Sequence, residues 1–266
     1  MNFKILCSDL DGTLLTTKND VSDFTISEIK RIKERMKVIL VSARMPQSMR
    51  YLQKRLSIEN QPIICYNGAL IIDRTTEIFS NTINFNAVQK IHQLAENESI
   101  KLGLYYNQEW YVEESSERVE KEIKYTRTSP TFRNTYETLA DWQSRNISAH
   151  KIMMMGTKTS ADIIFPILNE EFSKQLNIYR SNDTLIELAP KSVSKLSAIQ
   201  LLLSKEETLS EVISFGDNYN DFEMLQHSGL GVAVANGREE IKAIADFTTL
   251  KNTEDGVAHF IKEHLI

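Results

Sequence analysis

Four aspartates in two short segments are the side chains of this sequence best suited to do chemistry. Asp9 and Asp11 follow an apolar run near the N-terminus, and Asp217 and Asp221 follow another apolar run late in the chain. Carboxylates a few ångströms apart raise each other's pKa and resist joint ionisation. A hard divalent cation relieves that repulsion, and Mg²⁺ suits a site that keeps water molecules and one substrate oxygen. The four acids therefore predict a magnesium site, provided that the fold brings them together.

Other polar residues extend this cluster toward a phosphoryl group. Lys195 would add a second positive charge, and Ser42, which ends an apolar run, would add a hydroxyl group. Gly12 lies in a short turn whose main-chain N–H groups can bind the oxygens of an anion. Phosphoryl transfer depends mainly on positioning and on neutralising charge, which these groups supply together. Asn67 follows a third apolar run and is either a further ligand or a plain turn residue.

These residues need a sheet to hold them, and the apolar pattern predicts one. Predominantly apolar runs occupy residues 3–7, 38–41, 62–66, 211–215 and 230–234, without strict polar alternation, and segments with helical spacing lie between most of them. Such runs indicate a parallel sheet that helices cover on both faces. Ligands bind such a sheet beyond the carboxyl ends of its strands, where the polar residues above stand. The predicted fold class is α/β, with a doubly wound, Rossmann-like core.

The middle of the chain has a different pattern and predicts a separate domain. Short strand candidates there alternate with polar helices around residues 87–95, 117–125 and 161–172, which is typical of a mixed α+β domain. An exposed loop tolerates such an insertion because the ends of the host domain remain close together. We therefore expect a discontinuous core domain of residues 1–81 and 190–266, with an inserted α+β domain of residues 82–189.

The composition argues against several classes of protein. The 266 residues include 31 basic and 36 acidic side chains, a net charge of −5, which is unlike a nucleic-acid-binding protein. No apolar run approaches the ~18 residues that cross a bilayer, and the N-terminus lacks a signal-peptide pattern. Cys7 and Cys65 lie in apolar runs and are too few for a disulfide framework. These features predict a cytoplasmic protein with neither a nucleic-acid nor a membrane partner, and they leave the oligomeric state open.

The acidic segments also resemble the motifs of a known family. Residues 9–14 read D-L-D-G-T-L and resemble the D-x-D-G-T-L motif of haloacid-dehalogenase-like (HAD) phosphohydrolases. Residues 216–221 read G-D-N-Y-N-D and resemble the G-D-x-x-N-D motif of that family, while Ser42 and Lys195 stand where it has its Ser/Thr and Lys motifs. The N-G-A at residues 67–69, the D-G-V-A at residues 255–258 and the long insertion resemble the Cof-type branch. That branch implies a large α/β cap over the active site.

The resemblance implies hydrolysis of small phosphate monoesters, such as sugar phosphates, nucleotides or phosphorylated cofactors. Asp9 would attack phosphorus to form an aspartyl-phosphate, and Asp11 would protonate the leaving oxygen and later activate water. Ser42 would donate a hydrogen bond to a phosphoryl oxygen, and Lys195 would hold Asp9 and offset charge.

The resemblance also implies two sets of ligands. Mg²⁺ would be bound by Asp9, by Asp217 and by the main-chain carbonyl of Asp11, with Asp221 and Asn220 in support. The implied phosphate-binding residues are Asp11, Gly12, Ser42, Ala43, Asn67, Lys195 and Asn220. The chain departs from the family pattern at Ala43, Ser192 and Leu196, where glycines are usual, although no catalytic group is lost.

Two other functions remain open at this point. A phosphomutase would move the phosphoryl group to another hydroxyl instead of releasing it. A phospho-receiver or binding module also joins an acidic pocket, a Ser or Thr and a Lys on a doubly wound sheet. Asp11 favours an enzyme, because a receiver lacks this acid/base two residues beyond its phosphorylated aspartate.

Overall fold

The computed structural model describes residues 3–265 and contains fourteen strands and ten α-helices in that range. In chain order the strands are β1 (Ile5–Ser8), β2 (Lys37–Val41), β3 (Pro62–Cys65), β4 (Leu70–Asp73), β5 (Thr76–Ser80), β6 (Lys101–Tyr106), β7 (Glu109–Val112), β8 (Thr131–Phe132), β9 (Lys151–Met155), β10 (Leu176–Asn182), β11 (Leu185–Pro190), β12 (Val212–Gly216), β13 (Leu230–Val234) and β14 (Phe247–Thr249). The helices are α1 (Asp23–Ile32), α2 (Pro46–Leu56), α3 (Phe85–Asn97), α4 (Glu117–Thr126), α5 (Thr135–Ser144), α6 (Lys158–Phe172), α7 (Lys195–Leu202), α8 (Phe222–His227), α9 (Glu239–Ile244) and α10 (Gly256–His264).

The contacts divide the chain into two compact units. The first unit is formed by the chain up to Phe79 and from Ser194 onward, and the second unit is Ser80–Val193. Each unit is built on its own sheet. Among residues 3–265, no helix combines the length and the apolar character needed to cross a lipid bilayer.

The first unit contains a sheet with the strand order β14-β13-β12-β1-β2-β3-β4-β5. The strands from β14 to β3 are parallel to their neighbours, and β4 runs antiparallel to β3. Ile5 and Cys7 pack with Ile199 of α7 on one face, while Leu6 between them points to the other face and is also fully buried. Both faces are therefore covered, and the prediction of a parallel-rich α/β core is confirmed.

The order of the strands determines where a ligand can bind. The chain passes from β1 to β2 and β3 on one side, and returns on the other side of β1 through β12. The order of the strands therefore reverses beside β1, where a crevice opens at the carboxyl ends of the strands. Asp9 directly follows β1, and Asp217 directly follows β12. Both acids consequently lie at this crevice.

The second unit contains a mixed sheet with helices packed on one face. The strand order is β10-β11-β9-β6-β7-β8, and the pairs are antiparallel except for β7 with β8. Alternate residues such as Leu104, Met154 and Leu188 pack against apolar residues of α3, α5 and α6, including Ile91, Trp142 and Ile164. This is the α+β architecture expected for the middle of the chain.

A buried histidine in the second unit predicts that stability depends on pH. His150 is fully buried, its Nδ1 accepts the main-chain N–H of Asn107 at 3.1 Å, and its Nε2 lies 2.9 Å from the hydroxyl of Ser80. Burial lowers its pKa to about 4, so the folded protein favours the neutral ring. Unfolding releases the ring to its ordinary pKa near 6.5, so the unfolded chain binds more protons as the pH falls.

We therefore expect the free energy of unfolding to fall by up to about 3 kcal/mol as the pH drops from about 6.5 to about 4. Urea unfolding of the wild type and of His150→Gln, measured at several values of pH across this window, tests the prediction. The His150→Gln variant should show a shallower dependence on pH. The prediction is wrong if the free energy of unfolding depends on pH equally in the wild type and in His150→Gln.

Candidate active site

The predicted site residues of the first unit meet at one edge of its sheet. Asp9, Ser42 and Asp217 each follow directly the last residue of β1, β2 or β12, and Asn67 lies in the turn after β3. These strands run in the same direction, so the residues that follow them lie at the same edge. Lys195, the first residue of α7, reaches the same place.

Lys195 is the buried cation of the site. Its side chain is fully buried, and its Nζ donates hydrogen bonds to Oδ1 of Asp9 at 2.5 Å and to Oδ1 of Asp221 at 2.6 Å. Burial alone would lower the pKa of Lys195, but the carboxylates of Asp221 and Asp9 outweigh it and raise the pKa above its ordinary value. Lys195 is therefore a permanent positive charge that holds two carboxylates.

Asp221 shapes the loop that follows β12. Its Oδ2 accepts the main-chain N–H groups of Asp217 at 2.9 Å and Asn218 at 3.1 Å, while its Oδ1 is bonded to Lys195. Gly216 makes this possible, because a Cβ there would lie 2.4 Å from the Cβ of Asp221. With both oxygens engaged, Asp221 is better placed to support the site than to bind a ligand directly.

Asp9, Asp217 and Asp221 form an acidic group that suits a metal ion. One oxygen from each lies within 4.8 Å of the others. Burial, followed by the charge of Asp221, raises the pKa of Asp217 to about 6. Burial also raises the pKa of Asp9; Lys195 opposes this effect, whereas Asp221 and Asp217 add to it. The group therefore contains three acids but one lysine, which is bonded to Asp9 and Asp221, and a divalent cation would balance the remaining negative charge.

Gly12 allows the two acidic segments to touch. Its φ is +85°, and a Cβ there would lie 2.6 Å from Oδ2 of Asp217. The hydroxyl of Thr13, the next residue, donates to Oδ1 of Asp217 at 3.0 Å. A side chain at position 12 would be strained by the positive φ and would also collide with Asp217.

Asp11 lies outside the acidic group and is held by an arginine. Its half-exposed carboxylate accepts two hydrogen bonds from Arg44, at 2.7 Å from Nε and 2.6 Å from Nη2. Arg44 is buried, and its Nη2 also donates to the main-chain carbonyl of Lys18 at 2.9 Å. Arg44 thus engages both carboxylate oxygens of Asp11, while about half of the Asp11 side chain stays exposed to solvent.

Arg44 is a functional candidate that the sequence did not single out. It ends the segment S-A-R at residues 42–44, of which only Ser42 and Ala43 were predicted to be site residues. Its spacing from Ser42 was the available signal, because a long side chain three positions beyond the last residue of β2 can still reach the same edge. Ala43, between them, has no positive φ, which explains why glycine is not needed there.

We expect Arg44→Lys to lower kcat by about tenfold, because lysine cannot form the two parallel hydrogen bonds that hold Asp11. Steady-state kinetics with an aryl phosphate measures the effect. Arg55→Lys is a matched control, since Arg55 also pairs with an aspartate, Asp20, at 3.2 Å but on the exposed end of α2. Equal kinetics for Arg44→Lys and the wild type would contradict the role given to Arg44.

The remaining predicted residues connect neighbouring loops. Ser42 is buried, its Oγ accepts the N–H of Arg44 at 3.3 Å, and its carbonyl accepts the N–H of Asn67 at 2.9 Å. Asn67 has a φ of +56°, and its Oδ1 accepts the side-chain amide of Asn220 at 3.0 Å. Asn67 is thus both a turn residue and a link between the loops after β3 and β12.

Comparison with known proteins assigns this arrangement to a family. A family model described as haloacid dehalogenase-like hydrolase matches residues 6–261. A Haemophilus influenzae protein provisionally named a phosphatase is 33% identical over 268 residues, which cover 99% of this chain and 98% of that protein. A 5-amino-6-(5-phospho-D-ribitylamino)uracil phosphatase of Bacillus subtilis is 26% identical over 98% of this chain and 97% of its own length.

A solved structure agrees with the fold and the family. The crystal structure of a haloacid dehalogenase-like hydrolase from Bacteroides thetaiotaomicron superposes with a TM-score of 0.88 at 28% identity, over 98% of both chains. The matches extend over nearly the whole chain and include both acidic segments. The motifs and the comparisons therefore agree that the chain belongs to the haloacid dehalogenase-like hydrolases, in the Cof-type branch, and that it is a phosphatase.

Proposed function

We propose that this phosphatase hydrolyses small-molecule phosphate monoesters with the help of Mg²⁺, through an aspartyl-phosphate formed on Asp9. The observation that carries the proposal is the buried Lys195, bonded to Asp9 and Asp221 inside an acidic group that has more negative than positive charge. A carboxylate fixed in this way beside a cation site is suited to in-line attack on phosphorus.

The residues of the first unit can divide the chemical steps among them. An oxygen of Asp9 attacks phosphorus while the bond from phosphorus to the leaving oxygen breaks, and Asp11 gives its proton to that oxygen. Water then attacks phosphorus, Asp11 takes the proton from the water, and the phosphate leaves with the carboxylate of Asp9 restored. The exposed side of Asp11 supports this role, since a leaving group and water can reach it.

The metal would bind where the acidic group is most negative. Oδ1 of Asp9 is bonded to Lys195 and Oδ1 of Asp217 to Thr13, which leaves Oδ2 of each carboxylate as a ligand atom. The main-chain carbonyl of Asp11 would complete the protein ligands, with Asp221 and Asn220 in support. When bound, Mg²⁺ would screen the charge of the phosphoryl oxygens and orient the attack.

Phosphate release by the purified protein tests the reaction class. With an aryl phosphate and Mg²⁺, we expect steady multiple turnover and stoichiometric release of inorganic phosphate. One phosphate bound per chain without turnover would instead support a phospho-receiver. Conversion of a sugar phosphate to its isomer, without phosphate release, would support a phosphomutase.

A panel of phosphorylated metabolites would identify the substrate class. The Bacillus subtilis relative is named for a phosphorylated ribitylamino compound, which makes polyol and sugar phosphates a reasonable first set. Nucleotides and phosphorylated cofactors form the second and third sets. The ratio kcat/KM ranks the compounds, and a preference of tenfold or more, about 1.4 kcal/mol, would indicate specific contacts with the leaving group.

Asp217→Ala is expected to raise the Mg²⁺ concentration needed for half-maximal activity by about 100-fold or more. Loss of a direct ligand should cost at least as much as the 10–100-fold typical of residues that merely support a ligand. A Mg²⁺ titration of phosphatase activity measures the change. Asp246→Ala is the control, because Asp246 bonds the N–H of Gly231 at the amino end of β13. An unchanged titration for Asp217→Ala would remove Asp217 from the ligand set.

A further inference from the structure

An asparagine that belongs to none of the motifs reaches the loop that carries Asp9 and Asp11. Asn236 lies just after β13, and its Nδ2 donates a hydrogen bond of 2.8 Å to the main-chain carbonyl of Gly12. Gly12 is the residue with positive φ at the centre of the turn Leu10–Leu14. The bond therefore fixes the peptide group that follows the positive φ of Gly12.

A second asparagine fixes the orientation of the first. Oδ1 of Asn236 accepts the main-chain N–H of Asn252 at 2.7 Å. An amide side chain accepts through its oxygen and donates through its nitrogen, so this bond leaves the NH₂ group of Asn236 facing Gly12. Asn252 uses its own Nδ2 to donate to the carbonyl of Leu15 at 2.8 Å. The two asparagines thus hold carbonyls in the middle and just beyond the end of the turn.

The turn is irregular, and its main-chain hydrogen bonds span five residues. The N–H of Leu14 donates to the carbonyl of Asp9 at 3.3 Å, and the N–H of Leu15 donates to the carbonyl of Leu10 at 3.0 Å. Asp11 and Gly12 have non-helical dihedral angles within it. The C=O and N–H of a trans peptide point in opposite directions, so a fixed carbonyl at Gly12 also fixes the direction of the next N–H group.

We propose that Asn236, oriented by Asn252, is a positioning residue for phosphoryl transfer. It holds the turn so that Asp11 meets Arg44 and Thr13 meets Asp217, and both contacts lie next to the bond that fixes Gly12. Asn236 bonds main-chain groups and acts through them, so it is not a catalytic residue. The inference rests on the proposed function, because the turn matters to the reaction only if Asp9 and Asp11 perform it.

Asn236→Asp and Asn236→Ala test the proposal in two ways. The aspartate keeps the acceptor for Asn252 but places a carboxylate oxygen against the carbonyl oxygen of Gly12, whereas alanine removes both bonds. Asn236 is exposed, so both variants should fold. We expect kcat to fall by about 10- to 100-fold with KM changed by less than about threefold, and aspartate to be the worse of the two. Hydrogen–deuterium exchange should show faster uptake in a peptide covering residues 10–16.

Gln53→Ala is the matched control. Gln53 also donates from a side-chain amide to main-chain carbonyls, those of Ile58 at 3.2 Å and Gln61 at 2.7 Å. These lie before β3, at the opposite edge of the sheet from the site. The control should lose stability but keep kcat and the exchange of residues 10–16.

The proposal is overturned if both Asn236 variants keep kcat within about twofold of the wild type, or if Gln53→Ala loses as much kcat. Unchanged exchange in residues 10–16 would overturn it as well. Failure of the proposed function would appear separately, as activity retained in Asp9→Asn. In that case the exchange measurement still reports whether Asn236 holds the turn.

Discussion

Asparagine in place of Asp9 is expected to reduce phosphate release by about a thousandfold or more, while the protein stays folded. Asparagine has nearly the same size but lacks the negative charge that makes a carboxylate oxygen nucleophilic. The amide oxygen of asparagine can still accept the hydrogen bond that Lys195 donates to Oδ1 of Asp9, so the buried contact is kept. Lys195 also keeps its bond to Asp221 in the variant.

The rate of phosphate release and the thermal midpoint of unfolding, measured for the wild type and for Asp9→Asn, test this prediction. The control is Asp246→Asn, which removes a carboxylate from the amino-end edge of the same sheet. We expect its rate to stay within about twofold of the wild type. Substantial activity in Asp9→Asn would remove Asp9 from the role of nucleophile, whereas an unfolded variant would assign it a structural role instead.

Replacing Lys195 by methionine is expected to lower the free energy of unfolding by about 3–5 kcal/mol and to abolish turnover. Methionine fills a similar volume, but it leaves Asp9 and Asp221 buried without their shared cation. The cost arises mainly from these unpaired charges, since a buried ion is far from water. Turnover fails because Asp9 is no longer held and the site has lost a positive charge.

Urea unfolding in the absence of divalent ions measures the loss of stability. Lys205→Met, on the exposed surface beyond α7, is the control and should change stability by less than about 0.5 kcal/mol. Adding Mg²⁺ should restore part of the stability of Lys195→Met, because the ion can balance the same acids. Wild-type stability in Lys195→Met without Mg²⁺ would contradict the proposed electrostatics.

The positions of the site residues could be predicted because strand ends are visible in the sequence. The runs before Asp9 and Asp217 consist mostly of apolar residues, and an acid follows each of them, so the edge of a parallel sheet can be located in the sequence. The same reasoning placed Ser42 and Asn67. The antiparallel strand β4 was not predicted, because its short apolar segment carries no signal of direction.

Contacts made by single polar side chains could not be predicted in this way. The pairing of Arg44 with Asp11 depends on how the chain turns after β2, and the bond from Asn236 to Gly12 joins residues from distant parts of the sequence. No periodic pattern marks such contacts. The sequence also did not show what the two carboxylate oxygens of Asp221 contact. In the structure one accepts a hydrogen bond from Lys195, and the other accepts from the N–H groups of Asp217 and Asn218.

The pairing of β1 with β12 has a consequence for how the protein is synthesised. Ile5–Ser8 pairs on one side with β2 but on the other side with Val212–Gly216, in a register that sets Ser8 beside Phe215. On the ribosome, about 200 residues separate the two strands, which corresponds to roughly 10–40 s of translation. During that interval one edge of the N-terminal strand is unpaired, which is a state prone to aggregation. A nascent chain therefore carries Asp9, the proposed nucleophile, long before it carries the partner strand β12, so the site can be completed only late in synthesis.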